Sequence, residues 1–477
     1  MEYLGRQTRN RITSLESKKL HVMAPNTVQR KGAITKAPQS NGRFITETEL
    51  KEHNGTNGCQ TWIAIKDRVY DVSSFGVEHP GGTIIFTHAG QDATDVFGAF
   101  HPASAHKWLP RFYIGDLVKD SRITPSDSQK ETEYRQDIIA MKSELMKARA
   151  FESSKLYYAF KIASNAAILA AAVAAILVLN GFAGAIIGGV LMALFWQQSA
   201  FLAHDFLHHQ VFTNRSYNNL GGLFFGNIWQ GFSTSWWKAK HNHHHASTNV
   251  VHTQAGGDPD IMTMPFLLWS EKIIEGDTED LKDLPKFMVR YQKFFYLPLN
   301  AAARISWLLQ SLLFQLEPVH KYVGGLRMKI AEISTMAIHY LSVAFITSLL
   351  ETATSRIVFQ LTCQSLGGIF LAIIFTVGHY AMEMFTSEEM NDTDFVRLQV
   401  HSTCNITPTV FNTWFSGGLA YQVEHHIWPT LPRHSLPLAS KILRRFCSKH
   451  NIPYTVKGLI EGNLTVFRLL SQIGKRF

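Results

Sequence analysis

Four long apolar stretches constrain the fold of this 477-residue chain more than any other feature of its sequence. They cover residues 162–179, 182–203, 333–350 and 357–378. Each has 18 to 22 residues with few polar groups, so each is long enough to cross a hydrocarbon layer about 30 Å thick as a helix. Only Asn180 and Gly181 separate the first two stretches, which predicts a helical hairpin. Two hairpins of this length favour a membrane domain over buried helices of a large soluble protein.

The distribution of charge predicts how these spans are oriented. The turns of the two hairpins carry only Glu351 and Arg356, whereas the segments at the opposite ends are rich in Lys and Arg. The positive-inside rule then places both termini in the cytosol. The mixed stretch 298–316 contains Arg304 and is too polar to span comfortably, so we interpret it as a helix lying on the membrane surface.

The net charge of +9 arises mainly in the first 43 residues, which contain nine Lys or Arg and two Asp or Glu. Because residues 1–43 lack apolar periodicity, they are interpreted as a disordered basic tail. Residues 44–120 have a net charge of −4, so the basic balance does not indicate nucleic-acid binding. The polar residues 119–155 are interpreted as a linker with some helix. Four widely separated cysteines exclude a disulfide scaffold and a thiolate zinc site.

Residues 44–118 predict a small α+β domain with a haem site. Strand-like runs at 61–65 and 68–72 precede the turn His79-Pro-Gly-Gly, and a helical run leads to His101. Two neutral imidazoles can hold a haem iron from both faces, which leaves no open position and suits electron transfer. With Trp62 and the spacing of the two histidines, the segment resembles a cytochrome b5 domain. This resemblance implies that His79 and His101 are the axial ligands of haem b, and a b5-like fold without haem is the alternative.

Three short histidine-rich runs predict a metal centre beside the spans. They are His204-Asp-Phe-Leu-His208-His209, His241-Asn-His-His-His245 and Gln422-Val-Glu-His425-His426. Spacings of three and four residues place members of each run on one helix face. The order of spans and runs brings all three runs to the same end of the bundle. Imidazole suits Fe, Cu, Zn and Ni, and a single zinc needs only three or four ligands. Seven or eight converging histidines therefore imply two metal ions.

These runs resemble those of the membrane front-end fatty acyl desaturases of the delta-6 type, which carry a fused cytochrome b5 domain. The resemblance covers about residues 44–470 and rests on the motifs H-D-F-L-H-H, W-W-K-x-K-H-N-x-H-H and Q-x-E-H-H. A glutamine that opens the third motif is typical of the front-end group. The resemblance implies a multi-domain protein: an α+β cytochrome b5-like haem domain, then an all-α membrane domain. That second domain, residues 156–477, would have four transmembrane helices and a cytosolic histidine-rich di-iron cap.

The resemblance also implies the residues of the catalytic di-iron site. These are His204, His208, His241, His244, His245, His379, Gln422, His425 and His426, with the glutamine in or near the ligand shell. The role of His209 stays open, and His243 is interpreted as structural or as a neighbour of the ligands because its position in the motif varies. Asp205 is expected to orient a ligand imidazole. Trp229, Trp236 and Trp237, which precede or open the second motif, are expected to form an interfacial aromatic belt.

The implied activity is that of an O2-dependent oxidoreductase. It would insert a cis double bond between an existing double bond and the carboxyl end of a polyunsaturated C18 or C20 acyl chain, at the delta-6 position. Electrons would come from NADH through a separate NADH–cytochrome b5 reductase to the haem and then to the two Fe ions. The acyl substrate would be linked to phospholipid or CoA, within the lipid of the endoplasmic reticulum membrane.

Several alternatives share these ligands. A delta-5, delta-8 or sphingoid-base desaturase, a hydroxylase or an acetylenase could use the same histidines, because the product depends on how the substrate is held. A membrane carrier of haem or metal is the non-enzyme alternative, but a carrier would place polar ligands within the spans. A ferritin-like carboxylate site is disfavoured, since the one pair with Glu-x-x-His spacing, Glu317 and His320, contains Pro318.

Overall fold

The computed structural model describes residues 43–76, 78–118, 125–252, 256–274 and 282–477. The predicted basic tail therefore lies outside the described residues, except for Arg43, and so does the start of the predicted linker, residues 119–124. The described residues all belong to one compact unit. The predicted fold class is confirmed: an N-terminal α+β domain precedes an all-helical domain with four helices of membrane-spanning length.

A four-stranded sheet organises the N-terminal domain. Its elements are β1 (Phe44–Thr46), α1 (Glu47–Glu52), β2 (Trp62–Ile65), β3 (Arg68–Asp71), α2 (Thr94–Phe100) and β4 (Tyr113–Val118), with 3-10 helices at Thr56–Gly58, Gly82–His88, Ala103–Lys107 and Leu109–Arg111. The strand order is β1-β4-β3-β2, in which β1 and β4 are parallel and the other pairs antiparallel. Lys66 and Asp67 have φ angles of 52° and 58°. A two-residue turn with both φ angles positive matches the twist of the hairpin that it closes.

Among the described residues after residue 118, the regular structure is helical apart from one small pair of parallel strands and one isolated bridge. Its α-helices are α3 (Pro125–Lys147), α4 (Lys155–Leu179), α5 (Gly181–Leu207), α6 (Arg215–Gly222), α7 (Thr234–Ala246), α8 (Asp283–Arg290), α9 (Gln292–Ala301), α10 (Ala303–Phe314), α11 (Gly325–Ser348), α12 (Ala353–His379), α13 (Ser387–Asn391), α14 (Phe395–Ser402), α15 (Val410–Phe415), α16 (Gln422–Ile427), α17 (Leu436–Lys449) and α18 (Leu459–Gly474). The strands are β5 (Asn405–Ile406) and β6 (Val456–Lys457). A π-helix covers Leu223–Gln230, and 3-10 helices cover Glu271–Ile273, Val319–Lys321, Leu419–Tyr421 and Arg433–Ser435.

The four long apolar helices α4, α5, α11 and α12 form two hairpins. Asn180 and Gly181, with φ angles of 46° and 51°, close the first hairpin. Helix α5 is the central one, packed against both α4 and α12. A Cβ atom on Gly188 of α5 would lie 2.6 Å from Ile176 Cγ1, so glycine permits this close packing. Both α5 and α12 extend beyond the predicted stretches, and their last turns carry histidines.

The segment interpreted as a linker forms a packed helix, α3, over most of its length. Helix α3 lies against α17. Lys449 Nζ contacts Glu133 Oε1 at 2.8 Å and Asp137 Oδ2 at 2.6 Å. On the side of the N-terminal domain, Lys142 Nζ donates to the Gly98 carbonyl oxygen at 3.0 Å. Helix α3 therefore connects the two domains through contacts to both of them.

The segment 298–316, predicted to lie on the membrane surface, is only partly superficial. It is divided between α9 and α10, and α10 exposes Ile305 and Leu309, as a lipid-facing helix would. Arg304 on the opposite face is 1% exposed and lies 3.4 Å from the centre of the Trp196 ring. Its guanidinium donates to the Gln230 carbonyl oxygen at 2.7 Å. The polarity that argued against a span thus reflects one buried arginine whose hydrogen bonds are made inside the bundle.

Candidate metal centres

The two histidines predicted to bind haem face each other in the N-terminal domain. The ring centres of His79 and His101 are 5.8 Å apart. The Nδ1 atom of His79 lies 3.2 Å from the Gly82 carbonyl oxygen, and that of His101 lies 3.1 Å from the Phe97 carbonyl oxygen. With Nδ1 bound to the backbone, each ring has Nε2 available for iron. The pair thus fits a haem held between two imidazoles.

The surroundings of this pair keep both rings neutral. Burial lowers the pKa of His79, and burial followed by the neighbouring His79 lowers the pKa of His101 to about 4. Phe97 stacks on His101 with ring centres 4.4 Å apart. Gly82 has a φ angle of +66° in the turn after His79. Since side chains other than glycine rarely adopt that angle, the Pro-Gly-Gly sequence fits the turn that positions His79.

A group of five histidines lies at one end of the four long helices. Its members come from the end of α5, from α7 and from α16, and each offers one nitrogen atom within 4.8 Å of the others. They are His204, His208, His241, His245 and His425. The structure thus brings together residues that are up to 221 positions apart in the chain. We call this set the five-histidine group.

The nitrogen atoms of this group have the spacing that a metal ion requires. The Nε2 atoms of His204 and His425 are 3.0 Å apart, and those of His245 and His425 are 3.1 Å apart. His208 Nε2 is buried without a hydrogen-bond partner in the described part of the chain. Ligands at right angles with bonds of about 2.1 Å would have nitrogens about 3.0 Å apart. The donor set therefore fits a metal ion with more than four ligands.

Burial makes these imidazoles neutral donors. The pKa values of His241, His245 and His425 lie well below the ordinary value, first because of burial and then because of the neighbouring histidines. A neutral imidazole is the form that binds a metal ion. The sequence pattern alone could not establish this, because burial depends on the packing of distant segments.

A second set of three histidines lies beside the first. His244 of α7, His379 at the end of α12 and His426 of α16 each place a ring nitrogen within 4.8 Å of the others. The side-chain amide of Gln422 lies 2.6 Å from His379 Nε2 and 3.3 Å from His426 Nε2. We call these three the three-histidine group. The rings of His245 and His426 stack with centres 4.0 Å apart, so the two groups adjoin.

Polar side chains orient the rings of the three-histidine group. His244 Nδ1 donates to Asp258 Oδ2 at 2.8 Å, and His426 Nδ1 donates to Gln399 Oε1 at 2.9 Å. Burial acts to lower the pKa of His244, but the charge and hydrogen bond of Asp258 raise it above its usual value. Asp260 lies 3.7 Å from the same Nδ1 atom. These carboxylates therefore contact Nδ1 of His244 and leave its Nε2 for a metal ion, an arrangement common around metal-bound histidines.

Asp205, predicted to orient an imidazole, has a different principal partner. Its Oδ2 atom forms an ion pair with Arg433, 2.7 Å from Nε, and its Oδ1 atom lies 3.6 Å from His204 Nδ1. Both Asp205 and Arg433 are buried, with 1% and 6% exposure. Arg433 also donates to the Phe201 carbonyl oxygen at 2.7 Å. The pair mainly joins the end of α5 to the segment after α16.

Two histidines of the runs lie outside both groups. His209 follows the end of α5 with a φ angle of 61° and is not a member of either group. His243 Nε2 lies 3.1 Å from the Gly256 carbonyl oxygen instead of pointing to the cluster. Their positions separate them from the eight neighbouring histidines that form the two groups.

The tryptophans near the second run are not simply an interfacial belt. Trp236 and Trp237 are buried, with 9% and 8% exposure. The Trp237 ring stacks on His241, with centres 4.1 Å apart. Sequence reasoning also missed Asp258 and Gln399 as supports of ligand histidines. The acidic pair in Gly-Asp-Pro-Asp, shortly after the second run, was the one sequence signal that could have indicated Asp258.

Comparison with known families agrees with this arrangement. The fatty acid desaturase family matches residues 180–458, which contain both histidine groups. The family of cytochrome b5-like haem or steroid binding domains matches residues 46–118, which contain His79 and His101.

Several curated relatives match along most of their length. An acyl-lipid (9-3)-desaturase of Physcomitrium patens is 37% identical over 90% of this chain and 78% of its own. A Delta(8)-fatty-acid desaturase of Helianthus annuus is 32% identical over 90% of this chain and 91% of its own. A Delta(5) fatty acid desaturase of Caenorhabditis elegans is 31% identical over 84% of this chain and 91% of its own.

Proposed function

Because this chain belongs to the fatty acid desaturase family and carries an N-terminal cytochrome b5 domain, we propose that it is a delta-6 front-end desaturase of polyunsaturated C18 or C20 acyl chains. The observation that carries the proposal is the meeting of the two histidine groups at the ends of four apolar helices. A metal centre at the end of a membrane bundle is well placed for a substrate that is itself dissolved in lipid.

The chain's own residues would bind the metals and exclude water from them. The five-histidine group would hold one iron, and His244, His379 and His426 would hold the other, with Gln422 beside it. All eight histidines except His241 are buried below 9% exposure, so water has little access to the centre. When bound, the two irons would supply the activation of O2 that breaks an unactivated C–H bond.

The overall reaction balances with two electrons from outside the centre. The acyl chain loses two hydrogens to form the double bond, and these two hydrogens, together with O2, two electrons and two protons, yield two waters. His79 and His101 would hold the haem that carries those electrons one at a time. The expected source is NADH through a separate reductase, and the acidic balance of residues 44–120 suits a basic partner surface.

The position of the new double bond depends on features outside the metal centre. The relatives are named for Delta(8), Delta(5) and (9-3) desaturation. Proteins that share a family but differ in product position must differ in how deeply the acyl chain enters. We propose delta-6 for this chain, with delta-5, delta-8 and sphingoid-base desaturation as alternatives. A hydroxylase or acetylenase would need the same ligands and a different substrate position.

We further propose that both termini face the cytosol in the endoplasmic reticulum membrane. Both hairpins turn at the end remote from the histidines, so the N-terminal domain and the histidine-bearing segments lie on one side of the bundle. That side carries most of the Lys and Arg residues, which supports a cytosolic orientation. Protease added to sealed microsomes should remove an epitope tag placed at the N-terminus, and protection of the tag until detergent is added would contradict the orientation.

Expression in yeast fed linoleate or alpha-linolenate, followed by fatty-acid profiling, tests the proposed activity. A new delta-6 double bond is the expected result. A product altered at another position would reject delta-6 alone, and no product with full-length, haem-loaded protein present would reject the desaturase activity.

The His79→Ala variant tests whether the fused haem domain is required. Free cytochrome b5 should not restore its activity if the fused haem is obligatory. Full activity of this variant would contradict the role of the fused haem, while leaving the desaturase activity itself intact.

A further inference from the structure

The haem-ligand segment of the N-terminal domain lies directly against the five-histidine group. Phe100 precedes the haem ligand His101 in the chain, and its ring meets the ring of His245 edge to face, with centres 6.1 Å apart. A single aromatic side chain therefore separates a predicted haem ligand from a predicted iron ligand. This contact joins two sites that the sequence places 144 residues apart.

Two cations hold this segment in place through its backbone. Arg215, at the start of α6, donates to the Phe100 carbonyl oxygen at 2.9 Å. Lys142 of α3 donates to the Gly98 carbonyl oxygen at 3.0 Å. Both carbonyls lie in the last turn of α2, where carbonyl groups lack partners within the helix and where cations are favoured. The membrane domain and α3 thus supply the C-terminal contacts of the helix that leads to the haem ligand.

Further contacts surround this segment. Arg135 of α3 lies 3.6 Å from Asp92, and the side chains of Gln91 and Asn391 are hydrogen bonded. A cavity beside His101 is also lined by Lys142 and by Trp428, two residues after His426. The contacts therefore enclose the haem ligand on the side that faces both histidine groups.

We propose that the surface formed by Gly98, Phe100 and His101 is permanently docked on the histidine-rich end of the membrane domain, with Phe100 as the residue that positions it. This proposal rests on the proposed function, which identifies the two sites as a haem site and an iron site. The docked surface leaves no room for a free cytochrome b5 at His245. The reductase must accordingly reach the haem from a different face of the N-terminal domain.

A reversible chemical crosslink between Gln91→Cys and Asn391→Cys, whose native side chains are in contact, tests whether docking is permanent. Full-length protein in nanodiscs would carry both changes and Cys59→Ser, since Cys59 is the one exposed thiol among the free cysteines. A short bis-methanethiosulfonate reagent should form the link, since it spans a longer distance than a direct disulfide. The link is detected as a joined peptide by mass spectrometry, with the two single-cysteine variants as controls. The linked protein should accept electrons from NADH and reductase into its haem, and desaturate, as fast as the reduced protein.

The opposing outcomes are distinct. If no link forms, the docked arrangement is wrong. If the link forms but stops haem reduction or turnover until dithiothreitol is added, the domain must move during the cycle and permanent docking is wrong. If neither linked nor reduced protein desaturates any acyl chain, the proposed function fails, whereas link formation and haem reduction still decide the docking.

Phe100→Leu tests the positioning residue itself. The variant should bind haem normally by its Soret band, and reductase should reduce it at the wild-type rate. Reoxidation of the ferrous haem by the iron-loaded protein should slow about 10- to 100-fold, the range expected when reacting centres are misplaced. Trp108→Leu, the same type of change at an exposed site of the same domain, is the matched control. Reoxidation of Phe100→Leu at the rate of this control would contradict the role of Phe100.

Discussion

The five-histidine group and the three-histidine group adjoin, yet they are supported in different ways. In the five-histidine group, Nε2 atoms approach one another at 3.0 to 3.1 Å, namely His204 with His425 and His245 with both His241 and His425, while Asp205 comes only to 3.6 Å from His204. Its rings are held by packing, including the stacking of Trp237 on His241. In the three-histidine group, His244 and His426 instead donate hydrogen bonds to Asp258 and Gln399, and the amide of Gln422 contacts His379.

This difference teaches where each group is vulnerable. A site oriented by packing depends on the helices that carry its ligands, so only changes to those ligands or helices should disturb it. A site oriented by hydrogen bonds depends on a few polar side chains that are not ligands themselves. Substitution of those side chains should weaken metal binding in the three-histidine group and leave the five-histidine group unchanged. Total iron content reports the sum of the two groups.

The largest effect is expected for His425→Ala, which removes a member of the five-histidine group. Activity should fall more than about 100-fold, since even partners outside the ligand set cost about 10- to 100-fold. Iron per chain, measured by mass spectrometry of the purified protein, should fall as well. His243→Ala is the matched control, because His243 lies in the second run but outside both groups. Retention of iron and activity by His425→Ala would remove it from the ligand set.

Asp258→Asn should damage the three-histidine group alone. The amide cannot accept the proton of His244 Nδ1 with the strength of a carboxylate, and the loss should lower activity or iron affinity about 10- to 100-fold. Mössbauer spectra of the iron-57 protein should lose one of two iron signals. Loss of both signals would mean that the two groups share their support, and the contrast between them would disappear.

A smaller effect is expected for Gln422→Ala. Gln422 approaches two rings of the three-histidine group, but three imidazoles remain in the variant. Activity should fall up to about 10-fold, at the lower end for a residue beside a ligand set. Gln422→Glu, which keeps the length of the side chain and an oxygen, should retain more iron than Gln422→Ala. Equal iron contents in the two variants would contradict a position beside the metal.

The smallest expected effect is the pH dependence of stability that Asp95 causes. Asp95 lies in α2 of the N-terminal domain. Burial, then Asp92 and Asp394, raise its pKa to about 6, while Arg135 and Lys142 oppose the shift. The unfolded value is near 3.9, so the folded protein holds an extra proton between these pH values. Stability should therefore fall as pH rises from about 4 to about 6 and stay constant above.

Asp95→Asn should abolish this dependence and raise the unfolding midpoint at pH 7 by a few degrees. The midpoint can be followed through the loss of haem absorbance on heating. If the stability of the variant still fell with pH in the same range, the pH dependence would have to come from another titratable group. The iron signals of both histidine groups should stay unchanged, which separates this variant from Asp258→Asn.

The sequence predicts the parts of this fold that depend on local pattern. Apolar length identifies the four spans, and the spacing of three and four residues identifies which histidines share a helix face. His379 was identified only through the resemblance, because a single histidine after a span has no pattern of its own. The division of eight histidines into groups of five and three depends on how α7 and α16 cross, which no spacing within either helix determines.

Other features need the packed chain for a physical reason. The partner of Asp205 is Arg433, 228 residues away, and a pairing at that distance has no signature in the sequence. Residues 125–147 have the polar composition of a linker, but their charges pair with α17 and with the N-terminal domain. A polar composition indicates that a helix is compatible with solvent. It does not exclude that the helix packs against other parts of the protein through ion pairs and hydrogen bonds.

The hairpin turns of the membrane helices have a practical consequence. Only Asn180 lies between α4 and α5, and only residues 349–352 lie between α11 and α12. Under the proposed topology, an antibody, a protease or an impermeant label added to that side of the bilayer therefore meets almost none of the described residues. Enzymes of that compartment would find few of these residues to modify or cleave, so modification and degradation of the described part of the protein would take place from the opposite side.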